Sequence, residues 1–211
     1  MTTERDIVSR LLARHGVTFA EEAGIRLRDK PSPLYRLLVL STLLSARIKA
    51  GLAVAAAREL SAAGYRTPQA MCGATWQERV DALGRGGYRR YDERTASQLG
   101  DGAQLLMEHY RGDLRRLRET RHPSTTHDRL QDFPGIGPTG ATIFSREVQG
   151  IWRELAPSLD AKVLAGAERL GLPSSADALT ALVSPDELPR LAAGCVRANQ
   201  QDVAADILGE A

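Results

Sequence analysis

Apolar residues recur at helical spacing along most of this chain, and glycine, proline and Ser/Thr positions punctuate the runs. The first amphipathic segment, Asp6–His15, ends at Gly16. Pro31-Ser-Pro33 opens the next, where Tyr35–Ser45 is nearly continuous in apolar residues, the pattern of a helix buried on most sides. Leucine dominates this run and its surroundings are helical, so it reads as helix and not strand. Alanine-rich Ala50–Ala63 stops at Gly64. Shorter helices are predicted over Pro68–Cys72, started at Thr67, and over Trp76–Leu83, where Thr75 and Glu78 have capping-box spacing. A glycine-arginine segment, Gly84–Tyr91, interrupts the pattern before a long helix over Asp92–His109. After a short Asp113–Thr120 element, Ser124–Asp132 and Thr139–Gln149 flank a Pro134–Gly137 turn. Leu159–Leu170 is followed by Gly171 and Pro173. Ser175–Leu182 and Pro185–Ile207, with a break around Pro189, complete the chain. No strand-helix-strand alternation occurs, so the predicted class is all-α.

Composition supports this reading. The 211 residues are 43% hydrophobic, enough for one substantial core or two smaller packed units. Ala, Leu, Arg and Glu, all good helix formers, dominate. The formal charge is only +2, so a nucleic-acid partner requires a local basic face and not a global polycation. Lysine occurs only at Lys30, Lys49 and Lys162. Cys72 and Cys195 are the only cysteines, which gives neither a metal framework nor a disulfide scaffold. His109, His122 and His127 lack metal spacing. The N-terminus has no basic region followed by an apolar one, so no secretory leader is expected. Leu34–Leu44 is too short to span a bilayer, and Arg47 and Lys49 follow at once. The expectation is a cytoplasmic, monomeric protein without membrane attachment.

Leu130–Phe144 carries the clearest chemistry. Gly135 and Gly137 allow a tight bend and close approach of the backbone to a ligand. Amide groups at the start of the following helix point outward and favour an anion. Pro138 suits the first helical turn, where its missing N–H costs nothing. Ala141, Ile143 and Phe144 can lock that helix against Leu130 and Phe133. The same turn also serves merely to join two helices, and both readings stand on the residues alone. The missing Gly-Lys-Ser/Thr ending argues against a nucleotide P-loop.

Phe133-Pro-Gly-Ile-Gly137, followed by Pro138-Thr-Gly-Ala141 and then Leu159-Asp160, resembles the helix-hairpin-helix DNA glycosylase superfamily, notably its endonuclease III and MutY-like branch. Leu38-Val-Leu-Ser-Thr-Leu-Leu-Ser-Ala46 resembles that family's apolar helix ending in Leu-Leu-Ser-Ala. The resemblance implies an all-α, two-domain glycosylase-like fold. Residues 30–120 would form a helical bundle; 1–29 with 121–211 would form a discontinuous domain carrying the hairpin at 130–149, with the substrate pocket between the two. The implied partner is double-stranded DNA, and the implied location the nucleoid.

Asp160 stands at the start of a helix, where an acidic cap needs no catalytic purpose. The resemblance places it on the family's catalytic aspartate. A carboxylate there would stabilise oxocarbenium-like charge as a base leaves its sugar, and would orient the attacking water. Bifunctional relatives carry a Schiff-base lysine at the position of Thr139, and threonine cannot form the imine. The resemblance therefore implies a monofunctional N-glycosylase that flips and removes a damaged or mismatched base. The alternative is a non-catalytic DNA-structure binder on the same scaffold. Lys162 lies about 200° around a helix from Asp160, which suits a phosphate contact or a solvated side chain. Relatives hold an iron–sulfur cluster with four cysteines after the aspartate; only Cys195 lies there, so no cofactor and no cluster is expected, and Cys195 reads as core. Leu179, Leu182, Leu188, Leu191, Val203 and Ile207 would close this region by packing.

Arg47 matches the family residue that fills the gap left by an extruded nucleotide, and reads equally as a helix-terminal charge. Lys49 follows it, and Ala50 stands where relatives carry a polar residue. Arg85, Arg89, Arg90 and Arg94 interleave with Tyr88 and Tyr91, as a backbone-contacting surface or a solvated helix entry. Arg115, Arg116, Arg118 and Arg121 form a second run with the same two readings. The expected DNA contacts are Arg47, Lys49, Arg89, Arg90, Gly135, Ile136, Gly137, Thr139 and Lys162, with Asp160 catalytic. Trp76 and Trp152 read as packing anchors.

Overall fold

Every regular element among the described residues is helical. The computed structural model describes residues 3–209, the side chain of Pro123 excepted. Met1 and Thr2, at the head of the segment read as lacking a leader, lie outside it. In chain order the α-helices are α1 (Glu4–His15), α2 (Phe19–Glu22), α3 (Pro31–Ser45), α4 (Ala50–Ala62), α5 (Pro68–Gly73), α6 (Trp76–Arg85) and α7 (Asp92–Tyr110). After a 3-10 turn at Leu114–Leu117 come α8 (Pro123–Leu130) and α9 (Pro138–Val148), then a second 3-10 turn at Arg153–Leu155. The chain ends with α10 (Ala161–Arg169), α11 (Ala176–Thr180), α12 (Leu188–Arg197) and α13 (Gln201–Leu208). Thr75 caps α6 in a reciprocal box with Glu78, as the spacing predicts. Two features differ from the sequence reading. The short α2 lacks a periodic run and was not foreseen. The last helical segment breaks at residues 198–200 and not at Pro189, because Pro189 falls in the first turn of α12, where a missing N–H is harmless.

The chain divides into two compact units, residues 20–144 and residues 1–19 with 145–211. These boundaries differ from those drawn at residues 29 and 120, and the hairpin turn falls with the helices before it. The reason is packing. Phe133 stacks on Tyr110 of α7 with ring centroids 6.1 Å apart, and its side chain also lies against Gly102. The Thr126 hydroxyl of α8 accepts from the Glu119 amide at 2.8 Å. At the other end, the Arg36 side chain donates to the Gly24 carbonyl at 3.0 Å, tying residues 20–29 to α3.

In the larger unit α3 is the central rod. Leu34, Leu37, Leu40 and Leu43 are fully buried, each worth about 1.5–3 kcal/mol of transfer free energy. Arg79 of α6 donates to the carbonyls of Met71, Ala74 and Ala96, joining α5, α6 and α7. Trp76 is 41% exposed, with its indole N–H on the Ser97 hydroxyl at 3.1 Å, and is not the packing anchor expected.

In the smaller unit α1, α10, α12 and α13 surround a core of Leu11, Val163, Leu191 and Ile207. Leu179 and Leu188 are buried as predicted, and Trp152 is fully enclosed. Gly166 of α10 meets the Cys195 backbone of α12 so closely that a Cβ would stand 1.7 Å from the carbonyl oxygen.

Candidate nucleic-acid interface

The hairpin turn is built from its own sequence. Pro134 and Gly135 occupy the centre of a turn closed by the Ile136 amide on the Phe133 carbonyl at 2.9 Å, with Gly135 at φ +85°. That hydrogen bond, a proline first and a left-handed glycine second are the marks of a type II turn. A Cβ on Gly135 would also meet Gln98 Oε1 at 2.8 Å and Thr42 Cγ2 at 2.9 Å. Gly137 is different. It has no positive φ, and a Cβ there would meet nothing within 4 Å. Fold geometry explains glycine at 135 and leaves it unexplained at 137.

Beyond the turn, Pro138 begins α9 and the Ala141 amide is the first to bond back, to the Gly137 carbonyl at 3.0 Å. Thr139 and Gly140 therefore carry amides without an intrahelical acceptor, at the end of the helix that favours negative charge. Thr139 is exposed, and Ile136 is buried with its amide already bound. Ile136 anchors the turn from below.

This turn forms one wall of a 610 Å³ cavity inside the larger unit. Arg47, just after α3, lines a second wall; Tyr88, Tyr91 and Arg94, at the entry to α7, line a third. Of the expected DNA-contact residues, Arg47, Gly135, Ile136 and Gly137 meet here. Lys49, Arg89, Arg90 and Thr139 are exposed but do not line the cavity, and Arg90 lies over the Tyr91 ring at 5.2 Å. Sequence reading missed Thr42, Ser45, Gln98, Gln131 and Asp132 in this lining. The available signal was Thr42 and Ser45, polar positions in the leucine-rich second half of α3. Burial holds the Tyr88 phenol above its usual range, and its oxygen accepts from the Thr95 hydroxyl at 3.4 Å.

Two arginines of the second run are already held by carboxylates. Arg115 pairs with Asp113 at 2.7 Å and Arg118 with Asp29 at 3.1 Å.

In the smaller unit Asp160 caps α10, its Oδ1 accepting from the Val163 amide at 3.0 Å. Its Oδ2 accepts from Arg146 Nη1 at 3.1 Å. Arg146 is only 4% exposed, whereas the Asp160 side chain is 27% exposed. Arg146 is a site residue the sequence reading missed. Lys162 is exposed in the first turn of α10, and its carbonyl accepts from Asn199.

Similarity to solved structures fixes the fold. The chain is similar to a trapped endonuclease III–DNA covalent intermediate, the estranged-adenine complex, with 17% identity over 85% of this chain and 82% of that one, at a TM-score of 0.51. It is similar to a non-covalent endonuclease III–DNA complex with 17% identity over 92% and 81% of the chains, at a TM-score of 0.55. The chain has the endonuclease III fold. No protein-family model and no curated protein matches the sequence.

Cys195 is fully buried against apolar neighbours, and burial pushes its thiol up to about 12, away from the thiolate a metal requires. No group of three or more His, Cys, Asp or Glu able to hold a metal occurs among the described residues. Nor is any described helix long and apolar enough to cross a membrane.

Proposed function

We propose that this protein is a monomeric, duplex-DNA-binding N-glycosylase without lyase chemistry, acting in the cytoplasm at the nucleoid. The observation that carries the reading is the cavity where Arg47 and the Gly135–Gly137 turn meet, on the fold of endonuclease III, whose matched structures are complexes with DNA. The turn and the amides of Thr139 and Gly140 hold one backbone phosphate, and open space at Gly137 is what a backbone needs to approach a strand closely. Lys49, Lys162, Arg89 and Arg90 add phosphate contacts. Arg47 enters the duplex and occupies the gap left when a damaged or mismatched base is extruded. Asp160 stabilises positive charge developing on the sugar and orients water toward it. Thr139 supplies no amine, so the product is an abasic site and not a cleaved strand.

The test is a panel of duplexes bearing different lesions, treated with alkali to reveal abasic sites. Wild type releases a base from at least one of them. Asp160→Asn preserves the cap and loses release by about 100-fold or more. Borohydride traps no adduct at Thr139.

A second reading has its own observation. Both Asp160 oxygens are engaged, one by a buried guanidinium. A carboxylate so compensated suits a structural role, and a non-catalytic DNA-structure binder follows from it. Binding that survives Asp160→Asn, with no product from any lesion, selects this reading.

A further inference from the structure

A second cavity, of 470 Å³, lies in the same unit at the C-terminal end of α7, lined by His109, Tyr110, Arg111, Arg116 and Arg129. The arginine side chains arrive from the turn after α7, from the 3-10 segment and from α8. No carboxylate lines the cavity. The neighbouring arginines are unequal. Arg115 holds Asp113 through Nε at 3.0 Å and Nη2 at 2.7 Å, and Arg118 holds Asp29. Arg111 and Arg116 form no carboxylate ion pair among the described residues, although Asp113 lines the adjoining recess with both, its carboxyl held low first by the Arg115 hydrogen bond and last by the Arg116 charge. Arg129 gives one N–H to the Leu117 carbonyl at 3.0 Å, which fixes its guanidinium and leaves the rest of the fork unused.

Arg111 adds an independent observation. It caps α7 at φ +53°, as the one non-glycine residue in the left-handed region among the described residues. Glycine is the residue that suits this position sterically, yet the chain keeps a long cation there. Arg129 and Gln131 are two residues apart at the end of α8, about 200° around the helix. Arg129 lines this cavity and Gln131 lines the hairpin cavity, so the two open on different faces of α8.

We propose that this cavity is a phosphate-binding site distinct from the hairpin surface, taking a multiply charged phosphate group through Arg111, Arg116 and Arg129. Several guanidinium forks converging on one recess match the acceptor oxygens of a terminal or bridged phosphate, by charge-assisted and bidentate bonds.

The test is calorimetric titration of the full chain with inorganic pyrophosphate at fixed ionic strength. Wild type binds one equivalent. The double variant Arg111→Gly with Arg116→Ala weakens binding about tenfold or more, whereas Arg115→Ala, whose charge is already matched, changes it by less than about twofold. Arg111→Gly relieves the left-handed backbone, so an unfolding midpoint equal to or above wild type shows that the variant folds. No binding by wild type, or equal weakening by Arg115→Ala, overturns the proposal. Two further arms separate the sources of the phosphate. Preference for a 5′-phosphorylated over a dephosphorylated oligonucleotide, competed by pyrophosphate, identifies a nucleic-acid end. Pyrophosphate binding without that preference identifies a free phosphate compound. Gly137→Ala leaves pyrophosphate affinity unchanged, so failure at one site is distinguishable from failure at the other.

Discussion

The Arg146 guanidinium donates to Asp160 Oδ2 at 3.1 Å from a position 4% exposed, while the carboxylate it meets keeps 27% of its surface. A buried cation therefore depends on a half-buried anion, and the anion's second oxygen is fixed by the Val163 amide. Removing the arginine leaves the cap in place but takes away what orients the carboxylate. Removing the carboxylate strands a charge that is expensive to leave unpaired.

Arg146→Met is accordingly expected to destabilise the protein by about 1–3 kcal/mol, discounted from the fully buried case because Asp160 reaches solvent. Asp160→Asn keeps the cap and loses the ion pair. In urea unfolding, the double variant is expected to cost less than the sum of the two single ones by about 1 kcal/mol. Strict additivity would show that the pair is not energetically coupled.

The two hairpin glycines separate stability from binding. Gly135→Ala forces a side chain into a left-handed backbone and against Gln98 and Thr42, so a loss of about 1–3 kcal/mol is expected. Gly137→Ala meets open space and leaves the unfolding midpoint within about 0.5 kcal/mol of wild type. If a strand packs there, the same change weakens duplex binding about tenfold, measured by anisotropy at fixed salt. Unchanged affinity in the folded Gly137→Ala variant would remove the phosphate clamp from the proposed mechanism.

The helices were legible because their signals are local. Thr75 and Glu78 form the predicted box, Tyr35–Ser45 is enclosed as its apolar run demands, and Pro134-Gly135 makes the turn those residues favour. Arg146 was not legible, since nothing in Ser145-Arg146-Glu147 announces that a charge on α9 is buried against the cap of α10. The cavity was legible only in part. Arg47, Tyr91 and the turn stand out singly, whereas Gln98 and Gln131 join them only through packing of α7 against Phe133. Likewise the second arginine run looks uniform in sequence; the local Asp113 takes Arg115, whereas Asp29 reaches Arg118 only through the fold, and Arg116 is left to line the cavity.

Close backbone approach gives a sharper stability test. A Cβ at Gly166 would stand 1.7 Å from the Cys195 carbonyl oxygen, a rigid backbone atom. Gly166→Ala must force α10 and α12 apart, with an expected cost of about 3 kcal/mol and the melting temperature reporting it. An alanine variant as stable as wild type would mean that the helices do not approach this closely in solution.

The smaller unit also carries a pH-dependent contact. Asp206 of α13 accepts from His15 Nε2 at 2.9 Å and from Arg14 Nη1 at 2.7 Å, both on α1. The His15 hydrogen bond, aided by the Arg14 and His15 charges, holds the Asp206 carboxyl below its ordinary value of 3.8. A depressed folded-state value means that the unfolded chain takes up the proton first as acid is added. The stabilisation is therefore complete above the ordinary carboxylate range, shrinks as pH falls through it, and is gone below the lowered folded value. Because the pair is exposed, its size is small and reduced by salt. Melting curves of wild type and Asp206→Asn should differ by a constant amount just above about pH 5, draw together as pH falls through the ordinary value of 3.8, and meet only below the lowered folded-state value. A gap that widens with acid would reverse the assigned direction and dissociate α1–α13 pairing from this carboxylate.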